Sequence, residues 1–247
     1  PDIERLRRLS KKYNIFFILD SCDTNGSYWN KKPVGKFADI VTSSFYSSHI
    51  ITTGGGGGII MTDDEKMKKR LQILRGWGRA SAMTAESEKI EDRFKYKIDG
   101  IPYDGKLVFT EIGFNVQVTE LHGAFGVAQL KKLNKFARDR KTNFNKILNY
   151  FKKQPQFILP KQYPQINTPW QVFPVTLSKN CPFSREKLVI FLEKHDIQTR
   201  PLHAGNITRH PAFRNWRKPF KNADYVMRNS FIIGCHPSLT RKHLNYL

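Results

Sequence analysis

Five consecutive apolar residues, Ile15-Phe16-Phe17-Ile18-Leu19, stop abruptly at Asp20. A short continuous apolar run bounded by polar residues is the pattern of a strand buried on both faces. The charged segment before it, residues 2–13, reads as a helix ending near Tyr13-Asn14. Two further runs repeat the pattern: Ile40-Val41 leading into Thr42-Ser43-Ser44-Phe45, and Ile59-Ile60-Met61 behind five glycines, Gly54 to Gly58. Acidic residues at Asp63-Asp64-Glu65 suit a helix N-terminus after the third run. Strands with polar residues massed at their ends predict an α/β sheet whose carboxyl edge carries a site.

The rest of the chain reads differently. Residues 80–112 are polar and irregular, the pattern of a long functional or mobile loop. Helical periodicity resumes at Thr119-Glu120-Leu121 and runs to about Lys153, followed by a proline-bearing connector from Pro160 to Pro169. Val172 to Leu177 reads as a strand, Ser184 to His195 as a helix opened by a serine cap, and Phe231-Ile232-Ile233 as another strand. The expected organisation is a large α/β domain over 1–130 and a smaller α+β domain over 131–247.

Charge raises the question of nucleic acid. The 247 residues carry 42 Lys and Arg against 21 Asp and Glu, a net charge of +21. The densest basic stretch, Lys131 to Lys141, also carries Leu130, Leu133, Phe136 and Ala137 at three- and four-residue spacings, continued by Phe144, Ile147 and Phe151. That is an amphipathic helix with its charges on the wet face. Zinc-finger spacing, RNP-like aromatics and a helix-turn-helix are all missing, so a nucleic-acid partner is not expected. Hydrophobic residues at 39% exclude a disordered chain, and no apolar run reaches the roughly 18–20 residues of a membrane span. Three cysteines, Cys22, Cys181 and Cys235, form neither a disulfide framework nor a metal site, which fits a reducing, cytoplasmic setting.

Two stretches carry chemistry. A carboxylate directly after a buried strand, Asp20, is placed at the ligand edge of a sheet, where it can pair with a cationic ring nitrogen. A turn or N-cap aspartate is the alternative on this fact alone. The stretch Ser43-Ser44-Phe45-Tyr46-Ser47-Ser48-His49-Ile50-Ile51-Thr52-Thr53-Gly54 brings hydroxyls, a histidine and a glycine run together. Exposed backbone N–H groups and short side chains let a phosphate approach, although a plain glycine turn has the same composition.

Taken together with Leu19-Asp20-Ser21-Cys22-Asp23 and Gly35-Lys36-Phe37-Ala38-Asp39-Ile40, this stretch resembles the DegT/DnrJ family of PLP-dependent sugar aminotransferases and dehydratases. Gly113 to Ala124 is similar to that family's G-[FY]-N-x-x-x-T-[DE]-x-x-x-A segment. Thr199 to Phe213 resembles R-x-L-x-A-G-N-x-x-R-x-P-x-F, found in its 3-dehydratase branch. The resemblance implies part of the PLP-dependent transferase fold of type I, with a smaller α+β domain after it. It further implies a homodimer with composite sites and a nucleotide-linked 4-keto-6-deoxyhexose as substrate, in deoxysugar and surface-glycan synthesis.

Family aminotransferases carry their cofactor-linking lysine where this chain has His49, and the dehydratase branch carries histidine there. By the resemblance, the cofactor is held non-covalently as PMP, with His49 moving protons near neutral pH. Asp20 would keep the pyridine nitrogen protonated, Asp23 and Ser44 would help hold the cofactor, and Asn115 would reach the neighbouring subunit's phosphate. Arg200 and Arg209 are candidates for the anionic substrate, with surface arginines as the alternative. A nucleotide-sugar aminotransferase homologue whose lysine was lost, a relative with no remaining activity, or a basic nucleic-acid-binding protein on a retired enzyme scaffold, are the rival readings.

Three departures stand out. Family members usually have Gly-Glu-Gly-Gly where this chain has Gly54-Gly55-Gly56-Gly57. Some branch members hold an iron–sulfur cluster; Cys22 matches one ligand, but the later loop, Arg79 to Glu88, has no cysteine, so no cluster is expected. An amino donor such as glutamate would then restore PMP, and a reductase partner stays open. Finally, the family has well over a hundred residues upstream of this start, which implies a fragment or a truncated gene.

Overall fold

The computed structural model describes residues 1–83 and 89–247. The chain forms two compact units: residues 2–22 with 34–129, and residues 23–33 with 130–247 and Pro1.

In the first unit, helix Ile3–Lys12 starts on Asp2, whose side chain accepts the Arg5 N–H at 2.9 Å; its last turn carries Lys11 and Lys12. Cap and charges agree with the helix dipole. Strand Ile18–Asp20 pairs in parallel with Ile40–Ser44, which pairs antiparallel with Gly58–Met61. Asp39 fixes the entry to this sheet. Its carboxylate accepts the Phe17 N–H at 2.8 Å and Arg7 Nη1 at 2.7 Å, and these two bonds hold its pKa down.

The apolar run before Asp20 departs from expectation. Only Ile18–Asp20 is strand, and Ile15, Phe16 and Ile18 are 61%, 57% and 58% exposed. Among the described residues this strand pairs with one neighbour and is not covered on both faces. The supposed loop 80–112 is also more regular than its composition suggests. It holds short helical turns at Ala80–Met83 and Ile90–Arg93, then a hairpin pairing Tyr96–Ile98 with Ile101–Tyr103. Asp99 and Gly100 turn that hairpin with φ of 48° and 84°, as a two-residue Asp-Gly loop requires. An ion pair between Arg93 and Asp104 closes its base.

The second unit is a four-stranded antiparallel sheet in the order Thr199–Pro201, Ser230–Gly234, Val172–Leu177, Phe157–Ile158. Phe173, Val175 and Leu177 alternate inward and meet Phe144, Ile147 and Phe151 of helix Leu133–Phe151. Phe144 stacks on Trp170 with ring centroids 4.3 Å apart. The periodicity read as one helix from Thr119 is two, Glu120–Leu130 and Leu133–Phe151. Nor do all its charges face water: Arg140 is 3% exposed and donates from Nη1 to the Gln171 carbonyl at 2.7 Å. Residues 23–33 join this unit because Tyr28–Trp29 pairs with Ile166–Asn167, within the proline-bearing connector.

Candidate active site

Asp20 ends its strand and Ser44 ends the parallel neighbour, so both lie at the same carboxyl edge of the sheet. Asp20 is exposed, and its Oδ1 accepts the Cys22 backbone N–H at 3.1 Å. Hydrogen bonds from the Cys22 thiol and N–H hold the Asp20 carboxyl below the usual carboxylate range, and the field of His49 adds to them. Asp20 therefore lies near enough to His49 for the histidine to bear on its carboxylate.

His49 belongs to the loop joining Ile40–Ser44 to Gly58–Met61. Its N–H donates to the Tyr46 carbonyl at 3.0 Å, and its ring stands edge-on to Tyr46 with centroids 6.3 Å apart. Ile50 and Ile51, the next two residues, are buried, while the histidine is half-buried. Ser44 Oγ accepts the Tyr46 N–H at 3.2 Å, a local turn that sets the hydroxyl at the strand end. The loop then closes on its own backbone: Phe45 N–H reaches the Gly57 carbonyl at 3.0 Å, and Thr53 N–H reaches the Phe45 carbonyl at 3.1 Å. Gly54, Gly55 and Gly57 take φ of 86°, 113° and 99°, which explains glycine in this run without recourse to a ligand.

Asn115 lies in the same unit, exposed, on a segment laid along the end of helix Glu65–Arg75. Phe114 N–H donates to the Leu74 carbonyl at 2.7 Å, and Val116 N–H to Arg75 at 3.2 Å, satisfying carbonyls that a helix end leaves open. The Gly113 and Gly78 backbones touch, and a Cβ on either would overlap the other segment. Asn115 thus rides on a tightly fixed backbone.

Asp23, Arg200 and Arg209 belong to the second unit. Asp23 and Arg200 are exposed, and Arg200 Nη1 donates to the Thr199 carbonyl at 2.7 Å. Arg209 grips Asp224 through Nε and Nη2, the latter at 2.8 Å from Oδ2. Asn206, 2% exposed, donates to the same carboxylate at 2.8 Å and to the Lys218 carbonyl at 3.0 Å. The Arg209 guanidinium first, then Asn206, holds the Asp224 carboxyl far below its ordinary range. Asn206 lies in the segment matched to R-x-L-x-A-G-N, but sequence reading missed Asp224: it sits 15 residues beyond Arg209, in another helix, with no local signal.

Among the described residues, no cluster of three or more His, Cys, Asp or Glu is placed to hold a metal ion. Thr84 to Glu88, part of the stretch compared with a cysteine-rich loop, lies outside the described residues. No helix among the described residues is long and apolar enough to cross a membrane.

Known proteins match this arrangement along its whole length. The RfbH lipopolysaccharide biosynthesis protein of Salmonella typhimurium is 34% identical, over 100% of this chain and 58% of its own. The dTDP-4-dehydro-2,6-dideoxy-D-glucose 3-dehydratase of Saccharopolyspora spinosa is 33% identical over 99% of this chain and 54% of its own. The structure of the Escherichia coli GDP-4-keto-6-deoxy-D-mannose-3-dehydratase with bound hydrated PLP superposes with a TM-score of 0.85 at 26% identity. It covers 100% of this chain and 62% of that one, so the chain spans less than two thirds of each relative. The fold is the α/β fold of the PLP-dependent aminotransferases, as the resemblance implied. The family model for DegT/DnrJ/EryC1/StrS aminotransferases matches residues 1–247, and the chain belongs to that family.

Proposed function

We propose that this chain carries the histidine-bearing half-site of a PMP- or PLP-dependent 3-dehydratase acting on a nucleotide-linked 4-keto-6-deoxyhexose. One observation carries the reading: the loop from Ser43 to Gly58, which leaves the strand paired with that of Asp20, contains no lysine and carries His49. The donor set fits a phosphorylated pyridine. A carboxylate kept ionised at a strand end suits a protonated ring nitrogen, and the Ser44 hydroxyl at the adjacent strand end suits a phosphate. When bound, the cofactor supplies a ring that draws electrons from the carbon next to its amine nitrogen.

The chain's own residues then divide the work. Asp20 holds the proton on the ring nitrogen, and Ser44 binds a phosphate oxygen. Asp23 supports cofactor binding from the turn after Cys22. His49, with no covalent link to make, takes and returns a proton at C4′ of the cofactor. Arg200 contacts the anionic nucleotide, and Arg209, locked on Asp224, shapes the 203–213 segment that meets it. Asn115 serves the site of a second copy in a homodimer. Free cysteines at 22, 181 and 235 support a reducing, cytoplasmic setting.

Mass spectrometry of the sugar product, after incubation with PMP and GDP-, dTDP- or CDP-linked 4-keto-6-deoxyhexoses, tests this reading. Loss of one water from the hexose is the expected result. A 4-amino sugar would favour an aminotransferase instead. No conversion of any of the three, joined to salt-sensitive DNA binding, would favour the basic binding protein.

A further inference from the structure

We propose that Thr53 is the positioning residue for His49, seated in a notch that Gly126 leaves in helix Glu120–Leu130. Thr53 is four residues beyond His49 and 8% exposed. Both of its donors are used within the loop: its N–H donates to the Phe45 carbonyl at 3.1 Å, and its hydroxyl donates to the Gly56 carbonyl. Its methyl points the other way. A Cβ added at Gly126 would stand 2.8 Å from Thr53 Cγ2, closer than side chains tolerate. Thr53 cannot yield by rotating, because a β-branched residue held by its own hydroxyl has one usable χ1.

The same side chain restricts Gly57, where an added Cβ would meet Thr53 Oγ1 at 2.7 Å and Val118 Cγ1 at 3.5 Å. Thr53 is therefore the point at which the histidine loop, the glycine run and the segment leading into helix Glu120–Leu130 lock together. His49 is tied to this point through buried Ile50 and Ile51, and its N–H is bonded to Tyr46 inside the same loop. The helix sets the height of Thr53, and Thr53 sets the loop. On this account Gly126, in the middle of a helix, serves clearance and not flexibility.

The catalytic meaning of this lock rests on the proposed role of His49, but its test does not. NMR of the protein without cofactor reads the His49 ring and amide signals directly. Gly126→Ala should displace both and make the His49 amide exchange about tenfold faster, because the loop is pushed off its seat. In a Thr53→Ser background, which removes the methyl, the same Gly126→Ala change should move His49 very little. Thr53→Val keeps the shape and deletes the hydroxyl, so it should shift the Gly56 and His49 amides without any clash. Unmoved His49 signals in Gly126→Ala would overturn the proposal, as would equal displacement in the two backgrounds. If Gly126→Ala does not fold, the double variant decides: folding with the His49 signals of Thr53→Ser supports the notch, and failure to fold overturns it. A confirmed lock in a protein that dehydrates no sugar would sink the functional reading and leave this one standing.

Discussion

The two units bury their apolar residues to very different degrees. In the second, Phe173, Leu177 and Phe231 are each 1% exposed, sealed between a four-stranded sheet and helix Leu133–Phe151. In the first, Ile59, Ile60 and Met61 on the outer strand are 42%, 52% and 42% exposed, and Ile18 on the opposite edge is more open still. The contrast separates two ways of holding structure. The second unit is held by packing, at about 25 cal/mol per Å² of apolar surface removed from water. The first, which carries Asp20, Ser44 and His49, buries a smaller set including Val41, Ile50 and Ile51, and is otherwise held by capped helices, loop hydrogen bonds and glycine turns. The proposed site residues Asp20, Ser44 and His49 lie on the unit with the smaller core.

The sharpest way to break this comparison is to cut both cores alike. Phe231→Ala should cost about 3–5 kcal/mol by removing a sealed aromatic, whereas Ile60→Ala should cost less than about 1 kcal/mol. Denaturant unfolding of the two variants checks it, and equal losses would erase the distinction.

A second contrast sets activity against stability within the first unit. His49→Asn should lower dehydration by about 100-fold or more while leaving the unfolding midpoint where it was. Asp20→Asn should act on binding: a neutral amide cannot hold the ring-nitrogen proton, so PMP should bind about tenfold more weakly. Titration by cofactor absorbance measures it, and unchanged affinity would remove Asp20 from the site.

The smallest expected effect is acid sensitivity. Asp104, paired with Arg93, titrates at about 2 in the folded protein against 3.8 unperturbed. A depressed carboxylate contributes stability that is whole above 3.8 and fades as pH falls toward 2, since the unfolded chain binds the proton first. Asp224 behaves in the same sense in the second unit, its pKa pulled down by Arg209 and Asn206. Asp104→Asn should flatten the loss of stability over that acid range, and Asp224→Asn should do so for the second unit. Unfolding curves across the range compare them with the parent chain.

How much of this was legible in the sequence depended on how local each feature is. Asp20 after an apolar run, Ser44 beside a second run and the serine cap at Ser184 are readable because neighbours in sequence define them. The Asp99-Gly100 hairpin had a local signal too, but polar residues around it masked the alternation. Arg140 gave none, since a basic residue in a basic stretch looks solvated until Gln171, 31 residues on, supplies a carbonyl. Residues 23–33 joined the second unit through Ile166–Asn167, a pairing no local pattern announces. The Thr53–Gly126 contact is likewise invisible in one dimension: it needs both the loop and the helix in place.

The central claim is that His49 occupies the position from which a lysine would link the cofactor covalently. Borohydride reduction after PLP addition, followed by peptide mass mapping, tests it in the native chain and in His49→Lys. The native chain should carry no reduced adduct in the 43–58 loop, and the variant should carry one on residue 49. A His49→Lys chain that binds PLP but gives no adduct at 49, or a native chain modified stoichiometrically at another lysine, would contradict the account.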